Sequence, residues 1–161
     1  QDAILARALA LLERSEAGLD AEDLARQARA ALENNDYPAA ANLAQRAIIA
    51  YQALGDTSTF EILNTYAGMA DRGMRAALAL EQATLLAADW RTYVEARTAA
   101  DRAAVEFLSL GNQAQASRAL ALRAELDRVQ SLAGVVLMLA GMAGVALGFV
   151  RRLVVREAEA W

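Results

Sequence analysis

The chain has 161 residues, 57% hydrophobic but only 6% aromatic, with 16 basic against 20 acidic residues and a net charge of −4. Every basic residue is Arg; Lys, His and Cys are absent. These absences remove disulfides, Cys nucleophiles, the common zinc sites, Ser-His-Asp triads, lysine Schiff bases, a complete Walker A motif and Glu-x-x-His di-iron ligation.

Alanine (41 residues) and leucine (24) fill the apolar share. Both favour helix, and a single Pro, Pro38, leaves long stretches free to stay helical. The expected class is all-α. The Arg residues are scattered and mostly sit near Asp or Glu, which reads as solvated helix faces and argues against nucleic acid as a partner.

In chain order, Ile4, Leu5, Leu9 and Leu12 recur at helical spacing, and Gly18 is expected to end that first helix. Asp20 then reads as an N-cap for a helix with Leu24, Ala28, Ala31 and Leu32 on its apolar stripe. Asn34-Asn35-Asp36 is a turn, and Pro38 suits the first turn of the next helix. That helix carries Ala40, Leu43, Ala44, Ala47, Ile48 and Tyr51 inward and stops at Leu54-Gly55.

Asp56-Thr57-Ser58 caps a helix over about 58–88, with Phe60, Ile62, Leu63, Tyr66, Met69, Met74, Leu78, Leu85 and Leu86 as candidate core. Gly68 and Gly73 weaken it and leave open a division into two shorter helices. Asp89 caps the next helix, which ends at Leu110-Gly111. Asn112 opens the last, which meets no Gly or Pro before the apolar segment and is read as one rod over 112–156.

That segment, Leu132 to Val150, holds 19 residues without a charge. As a helix it is about 28 Å long, close to the hydrocarbon thickness of a bilayer. The expected organisation is a soluble helical domain over 1–128, a transmembrane helix over 129–152 and a short tail over 153–161. Arg151, Arg152 and Arg156 mark a membrane interface, where long cationic side chains reach the headgroups, and Trp161 suits the same zone. Basic residues are as many upstream (Arg118, Arg123, Arg128), but the downstream cluster is tighter. The positive-inside rule therefore favours a cytoplasmic C-terminus and an extracytoplasmic N-terminal domain. A Gln1-Asp2 start suits a processed chain. Gly134, Ala140, Gly141, Gly144 and Gly148, at spacings of four and seven, share roughly one helix face and allow another helix to approach closely.

Residues 37–56 and 93–112 align without gaps at seven of twenty positions, both ending in Leu-Gly-[Asp/Asn]. The run Asn35-Asp36-Tyr37-Pro38-Ala39-Ala40, followed by Ala44, Ala47 and Ile48, resembles the second half of a tetratricopeptide repeat. The resemblance covers about 20–54 and 89–125. It implies stacked helical hairpins that bind other proteins. The 56-residue spacing of the copies exceeds the family's, and Asn35 stands where Gly is usual. An Ala-rich helix bundle is the alternative architecture.

The chemistry left to the chain is that of carboxylates. Glu61, Glu81, Glu95, Asp101, Glu106 and Glu125 fall on helices, and no spacing gathers two of them into a cleft. Asp101-Arg102 and Glu125 with Arg128 read as surface ion pairs. No catalytic, cofactor or metal residue is assigned. The expected function is non-enzymatic: a membrane-anchored scaffold or accessory subunit. Its partners are other membrane subunits or further copies of itself, together with the lipid bilayer. The alternatives are an extracytoplasmic sensory ectodomain and a tail-anchored cytoplasmic adaptor.

Overall fold

The computed structural model describes residues 2–158, with side chains over 4–145. Five α-helices follow one another: α1 Asp2–Glu33, α2 Tyr37–Leu54, α3 Phe60–Leu86, α4 Tyr93–Ser109 and α5 Gln113–Ala158. A 3₁₀ turn, Trp90–Thr92, precedes α4. There is no strand among the described residues, so the class is all-α.

Three helix ends share one device. At Asn35, Gly55 and Gly111 the backbone turns left-handed, with φ of 60°, 74° and 76°. The next amide then reaches back along the preceding helix: Asp36 N–H to Ala31 O, Asp56 N–H to Tyr51 O and Asn112 N–H to Phe107 O, at 2.8, 3.1 and 2.9 Å. Asn tolerates this region, which explains how Asn35 replaces the usual Gly. The residue that follows then starts the next element. Asp36 accepts from Ala39 N–H and Asn112 from Gln115 N–H, each at 3.1 Å.

Gly18 behaves differently from its sequence reading. It lies inside α1, which runs unbroken through Asp20, so neither the helix end nor the cap is formed there. Good helix formers flank it on both sides, and a lone Gly costs only about 1 kcal/mol against Ala. Gly68 and Gly73 likewise sit within a continuous α3. The helix N-cap is Thr59, not Ser58, and Asp56 organises the preceding turn. Of the candidate core residues, Leu63 is buried; Ile62, Leu78 and Leu85 face outward.

The core is mostly alanine. Ala44, Ala47, Ala70, Ala76, Ala83, Ala96, Ala100, Ala103 and Ala119 are all buried, which brings helix axes close. Ala47 and Ile48 of α2 meet Leu63 on the first half of α3. Ala76 and Leu80 on its second half meet Ala103, Ala104 and Phe107 of α4, with Ala116 and Ala119 of α5.

α3 therefore serves two neighbours in succession, and the α4–α5 hairpin is displaced along the axis from the α1–α2 hairpin. Tyr37, at the start of α2, lies level with Asn112, at the start of α5. The end of α2 lies level with Arg14, whose guanidinium donates to Leu54 O at 2.9 Å. The first turns of α1 overhang one end, and α5 beyond Asp127 overhangs the other. From the tip of α1 to residue 128 the staggered rod spans about 75 Å if the axes stay near parallel.

Tyr37 closes the midpoint. Its ring lies against Gly73, where an added Cβ would overlap it. Gly73→Ala should therefore lose about 1–3 kcal/mol of stability through overpacking. Gly68→Ala, with nothing near an added Cβ, should gain up to about 1 kcal/mol. Thermal unfolding of the full chain in mild detergent reads both signs.

Candidate functional site

Two regions have the makings of a site: the exposed length of α5 and the surface around the Tyr37 turn.

Along α5, Ala116, Ala119 and Leu126 are buried in the bundle. Asp127 pairs with Arg97 of α4 at 3.1 Å, and Arg123 pairs with Asp101 at 2.8 Å. These pairs cross between helices; Asp101 is held by Arg123 instead of its neighbour Arg102. From Arg128 to Val145 every residue is exposed, including Leu132, Val136, Leu137, Met138, Leu139 and Met142. Within Gln113–Val145 the helix is long and apolar enough to cross a membrane, and none of its apolar window is buried. Gly134, Ala140, Gly141 and Gly144 lie on this exposed length, and a Cβ added at any of the three glycines would meet nothing. The helix backbone continues through Arg151, Arg152 and Arg156. The side chains of those three residues, and the packing position Gly148, lie outside the described side chains, and Trp161 lies outside the described residues.

Around Tyr37 a hydrogen-bond chain joins two turns. Asn112 Nδ2 donates to Tyr37 Oη at 3.0 Å, and Tyr37 Oη donates to Asn35 Oδ1 at 3.1 Å. Asn112 is 4% exposed and is the one buried polar residue among those described. The ring of Tyr37 stacks on Phe107, with centroids 6.5 Å apart. Beside this knot an open cavity of about 460 Å³ runs between α3 and α5, bordered by Tyr37, Leu80, Glu81, Thr84, Gln115 and Arg118. A second hollow, about 360 Å³, lies between α3 and α4 and gathers Arg72, Arg75, Arg102 and Glu106. Arg72 donates to Glu106 at 3.0 Å, a part-exposed pair of the kind worth about 0–1 kcal/mol.

Neither hollow is legible in the sequence, because the residues of each come from separate helices.

The carboxylates are not gathered. Glu61, Glu81, Glu95 and Glu125 are exposed, and Asp101 and Glu106 each face an Arg. No group of three or more Asp or Glu among the described residues is arranged to hold a metal. Compared with protein-family models, curated proteins and solved structures, the chain matches none.

One carboxylate is perturbed by its surroundings. The Ser58 hydroxyl donates to Asp56 at 2.6 Å and the Ser58 amide at 2.9 Å, and Thr59 adds a third donor at 3.2 Å. These donors favour the ionised form and hold the Asp56 pKa below its ordinary value. Its stabilising share is complete above the ordinary carboxylate range and is lost as pH falls through the depressed value. Asp56→Ala should lower the unfolding midpoint at neutral pH, and the gap to the parent should close on acidification. Circular dichroism melts across pH 7 to about 2 read this out.

Proposed function

We propose that this chain is a membrane-anchored, non-enzymatic helical scaffold or accessory subunit. Its helical hairpins stand on one side of a bilayer and α5 crosses it. The observation that carries the reading is the continuity of α5. A single helix contributes Ala116, Ala119 and Leu126 to the core, then runs on as an uncovered apolar rod. In water such a rod exposes far more apolar surface than a soluble monomer carries. In lipid its backbone is satisfied internally and its side chains match the solvent.

The hairpin order and the Asn35-Asp36-Tyr37 turn support a tetratricopeptide-like stacking, a mode suited to protein contacts. Gly134, Ala140, Gly141, Gly144 and Gly148 offer a surface on which a second membrane helix can pack closely. Arg151, Arg152 and Arg156 favour a cytoplasmic C-terminus, with the hairpins outside. The non-enzymatic reading is supported by the residue types missing from the chain and by the dispersal of its carboxylates.

Met138→Arg with Met142→Arg places two charges near the middle of the span. Each costs about 2.5–3.5 kcal/mol for insertion. The parent should resist alkaline carbonate extraction, and the double variant should leave the membrane pellet. A parent that extracts freely overturns the anchor. Gly141→Leu with Gly144→Leu should stay in the pellet but lose co-purifying partners; unchanged co-purification removes the packing face.

Orientation is read separately. Gln52→Cys introduces the chain's only thiol, and a membrane-impermeant maleimide should label it in intact cells. Labelling only after lysis reverses the topology.

A further inference from the structure

The turn between α3 and α4 is exposed but firmly built. The Thr92 hydroxyl shares its proton between Leu86 O and Asp89 O, at 2.6 and 2.9 Å, and Asp89 Oδ1 accepts from the Arg91 amide at 3.0 Å. On this frame Trp90 is 73% exposed, with Leu85 at 70% on the α3 side and Val94 at 64% on the α4 side. The Arg91 guanidinium lies over the Trp90 ring, 5.6 Å from its centroid. Single exposed apolar side chains are ordinary, but three large ones gathered at one rigid turn call for a reason.

The inter-helix ion pairs fix where this turn lies along α5. Arg123 meets Asp101 and, four residues on, Asp127 meets Arg97, four residues back, so α4 runs antiparallel to α5 in a defined register. One further step of that register sets Tyr93, the first residue of α4, level with Ser131. The turn Trp90–Thr92 immediately precedes Tyr93 and lies at this end of the bundle. It therefore stands just past Arg128, the last charge before the apolar run, and beside Leu132, where that run begins. The exposed Trp90 sits where the uncovered length of α5 leaves the domain.

We propose that the α3–α4 turn is a second membrane contact, resting in the headgroup zone of the leaflet from which the domain rises. The proposal rests on the reading of α5 as a membrane span. Trp90, Leu85 and Val94 supply the apolar contact, and Arg91 supplies a cation for lipid phosphate. Tryptophan suits this zone because its ring is apolar while its indole N–H keeps a wet partner. The Arg91 stem can lie on apolar surface while its head stays with the phosphates. Alone, so small a patch would bind lipid weakly. Held at the surface by α5, it meets the bilayer as an intramolecular contact and pays no further translational cost.

The chain has two Trp residues, so Trp161→Phe leaves Trp90 as the sole indole. The full-length variant is reconstituted in phosphatidylcholine vesicles, with and without bromine on the upper acyl chain. Trp90 emission should fall about twofold in brominated lipid and resist quenching by aqueous iodide, as for an indole in the interfacial belt. The reference is Ile49→Trp made together with Trp90→Phe and Trp161→Phe. Ile49 is exposed on the part of α2 that lies beside the first half of α3, at the other end of the domain. Its emission should be equal in the two lipids. Trp90 emission that bromine leaves unchanged overturns the proposal: open to iodide, the turn faces water; closed to iodide, it is covered by protein, a second copy or another chain. Bromine quenching of the Ile49→Trp reference to the same degree also overturns it, because the contact is then not confined to the turn. Vesicle flotation reads the anchor separately. A chain that floats with Trp90 unquenched keeps the anchor and loses the contact; a chain that does not float overturns both.

Discussion

The seating of one aromatic ring against one glycine holds the two hairpins in register. Tyr37 belongs to the first turn of α2, yet its ring occupies the space that a side chain at Gly73 would need. From there it stacks on Phe107 and exchanges hydrogen bonds with Asn35 and Asn112. Three helices and two turns thus converge on a single side chain. The hydroxyl is satisfied on both sides, so burying it carries no unpaired polar group. No other described contact joins elements so far apart in sequence through a buried polar atom.

Around this point the packing is permissive. Alanine interfaces let helices approach closely but carry little shape information, because methyl groups interdigitate shallowly. Alanine alone would allow neighbouring helices to slide along one another by a turn. The Tyr37 ring and the inter-helix pairs Arg97–Asp127 and Arg123–Asp101 are specific to one register. The ion pairs are part-exposed and individually weak. Their value lies in selecting the stagger already set by the ring.

Much of the fold can be read from the residues. Leu54-Gly55 and Leu110-Gly111 end helices because each Gly takes the left-handed conformation and is followed by a side chain that organises the next turn. Gly18 and Gly68 have no such successor, and the helix runs through them. Gly73 looks equally disruptive in sequence, but its reason for being Gly lies 36 positions earlier, at Tyr37. The long final helix and its apolar half are legible because charge stops abruptly after Arg128. Ion-pair partners are less so: Asp101 chooses Arg123 over the adjacent Arg102 because the facing helix brings it within reach. The two hollows depend on the stagger, which no local pattern encodes.

The unbroken course of α5 has a mechanical consequence. On the membrane reading proposed above, a helix with no interruption between the bundle and the apolar span would act as a rigid lever pivoting in the bilayer. Transmembrane helices tilt by about 20° on average, and such a tilt would carry the tip of α1 sideways by roughly a third of the rod's length. Small changes in how the span meets neighbouring helices or lipid thickness are thereby magnified at the far end. Tethering that end would in turn restrict how the span can lean.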